Sequence, residues 1–108
     1  MTKLNHYKDV DVLFKKGRRI RQFPVQLIYV ESSKLAWGVS VRKKDVKLAV
    51  QRNKIKRVLR VLTKKHFVKH FEKNSINYIF LVVFLGKNIL SFEEMNNVFI
   101  ELKKRFLN

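Results

Sequence analysis

The densest chemistry in this chain is a run of cations around one amide, Arg52-Asn53-Lys54-Ile55-Lys56-Arg57, with Arg60 following one turn on. Guanidinium groups present planar forks that bind phosphate through two hydrogen bonds, and ammonium groups act as mobile point charges. On a helix advancing about 100° per residue from Arg52, Lys56 falls at about 40°, Arg60 at about 80°, Asn53 at about 100° and Arg57 at about 140°. Leu48, Ile55, Val58, Leu59 and Leu62 fall between about 240° and 340°, so one face is predicted as core and the other as a cationic strip. No Asp or Glu lies between Asp45 and Glu72, so no neighbour one helical turn away neutralises the strip. Arg42-Lys43-Lys44 and Lys47 lead into the helix start, where free N–H groups and the helix dipole also favour anions. A solvated basic face is the ordinary reading of a charge run. Here residues 42–70 hold 12 Lys or Arg and one acid, and that unpaired density points to phosphate.

Other chemistries are thinly supported. His66 and His70 stand four apart and could share a metal, but the residues between are Phe67-Val68-Lys69, with no Glu and no third ligand. Asp9 and Asp11, two apart on a helix, cannot converge on one ion. Most of the remaining acids fall at predicted helix starts or loops, where capping or solvation accounts for them. There is no cysteine, which removes disulfides, thiol nucleophiles and thiolate metal sites together. No catalytic residue and no metal ligand is assigned to this chain.

The elements that position the strip follow from periodicity. From about Leu4 to Lys16, Tyr7, Val10, Leu13 and Phe14 recur at helical spacing, and Gly17 stops the helix. Phe23–Val30 reads as a strand, Glu31-Ser32-Ser33-Lys34 as a polar hairpin loop, and Arg18–Gln22 as a short extra edge strand. In Leu35–Arg42, Leu35, Trp37, Val39 and Val41 alternate with Ala36, Gly38, Ser40 and Arg42. That is a strand with one face on the core and one small, polar face left open. The long helix runs from Leu48 to about Phe71. Tyr78–Leu85 is apolar throughout and is predicted as the central strand. Ser91 and Glu94 form a capping box for a last helix whose apolar stripe is Phe92, Met95, Phe99, Leu102 and Phe106. The prediction is a single domain over residues 1–108, an α/β (α+β) two-layer sandwich of order α-β-β-(β)-α-β-α with three to four strands.

Composition sets the limits. The chain has 108 residues, a formal net charge of +17, 46% hydrophobic residues and nine Phe. A purely disordered basic tail is excluded by that apolar content. The longest apolar run, Tyr78–Leu85, is far short of the about 20 residues a membrane span needs, and the Met1 end has no signal-peptide core. A cytoplasmic protein is therefore expected. The charge makes nucleic acid the leading partner. An anionic membrane surface comes second, but the apolar face of the central helix is already matched to a sheet in the same chain.

The motifs also resemble a known family. Arg52-Asn53-Lys54-Ile55-Lys56-Arg57, preceded by Ala49-Val50 and followed by Arg60, resembles the RNR signature of the bacterial ribonuclease P protein subunit. Gly38-Val39-Ser40-Val41-Arg42-Lys43-Lys44 is similar to that family's G-(L/F)-S-V-x-K-(K/R) strand end. Leu13-Phe14-Lys15-Lys16-Gly17 resembles its V-F-x-x-G, and Leu90-Ser91-Phe92-Glu93-Glu94 its L-(S/T)-(F/Y)-E-E. These matches keep the family's order. The chain departs from the pattern at Lys54, where Arg is usual, at Val10, where Phe is frequent, and by one extra residue in Asp45-Val46-Lys47-Leu48.

The resemblance implies a protein subunit that assists an RNA enzyme. The catalytic RNA removes the 5′ leader of precursor tRNA, with Mg²⁺ held mainly by RNA and substrate phosphates. It places Arg42, Lys43, Lys44, Lys47, Arg52, Asn53, Lys54, Lys56, Arg57 and Arg60 on the catalytic RNA. It makes Ala36, Gly38 and Ser40, with Phe14 and Tyr29, a cleft for the single-stranded leader, where aromatics stack on bases of any sequence. Core packing is the competing account of Phe14 and Tyr29. The partners implied are ribonuclease P RNA and precursor tRNA, with no protein homo-oligomer. The resemblance alone implies a left-handed β-α-β crossover, against the general right-handed rule. The alternative function is a ribosomal-type or other structural RNA-binding protein, which shares the charge and size but does not require this cationic face beside a polar cleft.

Overall fold

The computed structural model describes residues 2–3 and 7–107, with side chains from residue 11 to residue 107. Leu4 and the side chains of Tyr7, Asp9 and Val10 lie outside what is described. The chain runs β1 (Thr2–Lys3), α1 (Tyr7–Lys16), β2 (Arg18–Gln22), β3 (Val25–Glu31), β4 (Ala36–Val41), α2 (Ala49–Thr63), a π turn (Lys64–Val68), α3 (Lys69–Lys73), β5 (Tyr78–Phe84) and α4 (Phe92–Leu107). The expected mixed fold is present, with a two-residue edge strand, β1, added to the four that the sequence indicates.

The five strands form one sheet in the order β1-β4-β5-β3-β2. β5 is central, as its two-sided apolar run requires. It pairs parallel with β4 and antiparallel with β3. Glu31–Lys34 is therefore not a hairpin loop. β3 and β4 are separated by β5, and the segment crosses over the end of that strand, where the Ser32 amide donates to the Asn77 carbonyl at 3.2 Å. Local turn chemistry looks alike whether the next strand docks beside its predecessor or one place further on. Phe23 and Pro24, predicted within a strand, form the turn between β2 and β3, joined by a cis peptide bond.

Side-chain parity divides the core into two unequal parts. Val25, Leu27, Trp37, Val41, Phe80, Val82 and Phe84 face α2, α3 and α4 and meet Ile55, Leu59, Leu62, Phe67, Phe71, Met95, Phe99 and Leu102. The other face holds a smaller cluster, Leu13 of α1 with Ile28, Ala36, Ile79 and Val83. α1 packs on β3 and β5. Its end approaches β3 so closely that a side chain at Gly17 would collide with the Leu13 carbonyl and Ile28. Lack of bulk, not a left-handed turn, is what this glycine supplies.

The long helix is continuous from residue 49 to residue 73, but it is not one regular α-helix. On an unbroken wheel from Arg52, Phe67 and Phe71 would fall at about 60° and 100°, amid the cationic strip. Both are fully buried. The π turn holds one extra residue in its wider turn and so shifts the downstream phase by about 100°, which carries both rings back over the core. Leu48, assigned to the core face, is 62% exposed; it precedes the first helical turn and projects beyond the sheet. At the other helix, the capping box forms as the sequence indicates. Glu94 N–H donates to Ser91 Oγ at 3.1 Å and Ser91 N–H to Glu94 Oε1 at 3.2 Å. Phe92 lies outside the stripe expected for it, 52% exposed at the helix start.

Candidate nucleic-acid interface

The first half of α2 presents the cations to solvent. Asn53, Lys54, Arg57 and Arg60 are exposed and Lys56 is half-buried, while Ile55, Leu59 and Leu62 anchor the opposite face. None of these five polar groups has an ion-pair or hydrogen-bond partner among the described residues. The first turn contains no acid, and Leu48 gives the helix no side-chain cap, so its leading N–H groups add to the local preference for anions.

Arg52 behaves differently from its neighbours. Its Nη1 donates to the carbonyls of Val46 at 2.9 Å and Lys47 at 2.8 Å. It is half-buried and holds the loop before α2, rather than standing free on the solvent side. A guanidinium near a helix start finds the carbonyls of the incoming chain, and its remaining N–H groups stay available outward. Arg42 is also committed, its Nε donating to Asp45 Oδ2 at 2.6 Å. The loop closes in a tight turn, with the Asp45 and Val46 amides both on the Arg42 carbonyl and Val46 buried. Lys43, Lys44 and Lys47 remain exposed on its outer surface.

The second surface is the sheet face that α1 only partly covers. Gly38 and Ser40 are half-buried on it, beside Leu81 and Gln26. Phe14, on α1, is 48% exposed, so it is not core, and its ring lies beside Arg19 of β2. Two residues expected here are elsewhere. Ala36 is 1% exposed and packs beneath Leu13 with Ile28 and Ile79, because α1 lies across the adjacent strands β5 and β3. Tyr29 shares its parity with Val25 and Leu27, and therefore faces the opposite layer. There its ring meets Tyr78 and Phe106 edge-on at 5.5 and 5.0 Å. Its accessible edge opens on a separate recess of about 230 Å³ with Lys16, Arg18, Glu31 and Tyr78. The period-two pattern already carried that signal, since Tyr29 alternates in phase with the core residues of its own strand.

The histidine pair is divided between partners. His66 is buried against α4, with Nε2 2.8 Å from Asn96 Oδ1, while His70 Nδ1 lies 3.3 Å from Asn74 Nδ2. Among the described residues no three His, Asp or Glu side chains gather as a metal cage, and no helix is long and apolar enough to cross a membrane.

The sequence matches the ribonuclease P family over residues 1–106. This chain belongs to that family. Its role is that of the ribonuclease P protein subunit, an RNA-binding component of tRNA processing. No curated protein matches it in sequence. Solved structures agree in fold at low identity. The RNase P protein of Staphylococcus aureus is 21% identical, with 98% of this chain and 95% of that chain covered and a TM-score of 0.80. The Thermotoga maritima RNase P protein is 20% identical, with 97% of both chains covered and a TM-score of 0.73. Membership implies an RNA partner and removes the ribosomal-type alternative.

Proposed function

We propose that the exposed strip Asn53, Lys54, Lys56, Arg57 and Arg60, with Arg52 and the basic loop 42–47, docks this subunit on ribonuclease P RNA. We further propose that the open sheet face around Gly38, Ser40 and Phe14 holds the single-stranded 5′ leader of precursor tRNA, and that the RNA performs the hydrolysis. The carrying observation is the cationic strip itself, exposed and without a carboxylate partner at any position from Asn53 to Arg60. A helix face with that character costs stability through self-repulsion unless a polyanion lies against it.

Four of the chain's eight acids have structural tasks among the described residues. Asp11 pairs with Lys15, Asp45 with Arg42 and Glu101 with Lys104, and Glu94 closes the capping box. The donor set thus suits phosphate, and a Mg²⁺ ion would be held by RNA and substrate oxygens. When bound there, the ion supplies charge neutralisation at the scissile phosphate. The protein's residues hold the leader, exclude competing strands and add positive field. A cytoplasmic setting, where precursor tRNA is processed, fits this role.

The test is leader removal from a precursor tRNA at low Mg²⁺, with ribonuclease P RNA alone and with the protein added. Restored cleavage by the pair, with none by the protein by itself, supports the reading. Tight RNA binding with no gain in cleavage would refute it.

A further inference from the structure

Toward the outer strand this face is partly covered, with Ile28 and Val83 buried in the cluster with Leu13 and Leu81 and Gln26 half-buried. Strand pairing sets two transverse rows on the α1 side of the sheet, Gly38–Leu81–Ile28–Arg19 and Ser40–Val83–Gln26–Arg21. The residues that open the cleft on β4 are thus aligned, across three inter-strand steps of about 4.8 Å each, with two arginines on β2. Both arginines are exposed, and neither has a carboxylate partner among the described residues. Each guanidinium lies over an exposed phenyl ring, Arg19 over Phe14 and Arg21 over Phe23, both at 5.9 Å from the ring centre. Phe23 is 63% exposed and lines a recess with Pro24, Leu85 and Gly86.

An Arg–Phe pair offers a planar phosphate fork and a stacking surface together. Two such pairs, two strand positions or about 6.8 Å apart, match the step of a stretched single strand. A duplex has its bases already stacked and cannot use the rings. We propose that Arg19–Phe14 and Arg21–Phe23 form a two-step clamp for single-stranded RNA at the exit of the cleft. The leader then passes from Ser40 along the row that holds half-buried Gln26 to Arg21 and leaves beside β2. This rests on the assignment of the sheet face to the leader. The strand is anchored independently of the clamp side chains, since the Arg21 carbonyl accepts from Arg105 Nη1 at 2.8 Å.

The experiment uses the complex with ribonuclease P RNA and precursor tRNAs whose leaders grow one nucleotide at a time. With the native protein, affinity rises with length until the leader has passed the clamp. Arg21→Ala and Phe23→Ala, each checked for native circular dichroism, plateau earlier and bind the longest leader about tenfold more weakly. Their affinity for the shortest leader and for ribonuclease P RNA is unchanged. Ser40→Leu, inside the cleft, loses the gain from the first added nucleotides. If the clamp variants follow the native curve at every length while Ser40→Leu loses the early gain, the clamp is overturned and the cleft stands. Equal losses for mature tRNA and long-leader precursor would make β2 a general RNA contact and overturn the clamp. If Ser40→Leu also follows the native curve, the cleft assignment fails and the clamp with it.

Discussion

The two faces of this sheet are made by the same strands, yet one is sealed and the other is left for a ligand. On the sealed side β4 and β5 contribute Trp37, Phe80 and Phe84, and the α2–α3 and α4 layer returns Phe67, Phe71 and Phe99. The Trp37 and Phe80 rings stack at 6.3 Å, and Phe71 meets Phe80 edge-on at 5.2 Å. On the other side β4 contributes Ala36, Gly38 and Ser40, which have almost no apolar surface to bury. A ten-residue helix covers what apolar area exists and goes no further. The difference teaches that the cleft is a consequence of side-chain size on one strand. No separate loop or lid is needed to create it.

The largest expected effect tests the sealed side. Phe80→Ala should cost about 3–5 kcal/mol of stability, read from denaturant unfolding, while Ser40→Ala should stay within about 0.5 kcal/mol. Similar losses from the two would mean that the open face also bears the fold. A smaller contrast separates two arginines of the same helix. Arg52→Ala should lose about 1–2 kcal/mol of stability because two loop carbonyls lose a charged donor, and it should weaken RNA binding as well. Arg60→Ala should leave the melting temperature unchanged, weaken RNA affinity, and lower the salt slope of binding by about one. Identical thermal behaviour of the two variants would remove the loop-holding role of Arg52. Ser91→Ala should cost about 1 kcal/mol through loss of the α4 cap. It should leave the RNA salt slope untouched, because the substitution removes no charge and Ser91 is not among the proposed RNA contacts.

Much of this was legible in the sequence. The capping box at Ser91, the centrality of Tyr78–Leu85 and the cationic face of the long helix are local patterns, and local periodicity reports them directly. Ala36 shares the parity of Gly38 and Ser40, and only tertiary packing beneath Leu13 buries it. Tyr29 alternates in phase with Val25 and Leu27, so its own strand points it to the core layer, against the place the family likeness implies for it. Arg52 reads as a surface cation on any wheel, and only the course of the loop shows the carbonyls within its reach. The separation of β3 from β4 depends on a strand that arrives more than forty residues later, beyond what turn residues can encode. Arg19 and Arg21 alternate visibly along their strand. Their alignment with Gly38 and Ser40, however, exists only through pairing across β5 and β3.

The π turn also fixes where the chain can change length. It stores one residue more than a regular helix needs, in a segment whose Lys64 and Lys65 are exposed. Removing either lysine should let the helix close as ordinary α, with the cationic half and the Phe67–Phe71 half both keeping their present bearings. A one-residue deletion between Arg52 and Arg60 has no such slack and should rotate RNA-facing and core-facing groups together by about 100°. Circular dichroism and RNA binding of the two deletion variants would distinguish a site of tolerance from a site of collapse, four residues apart on one helix.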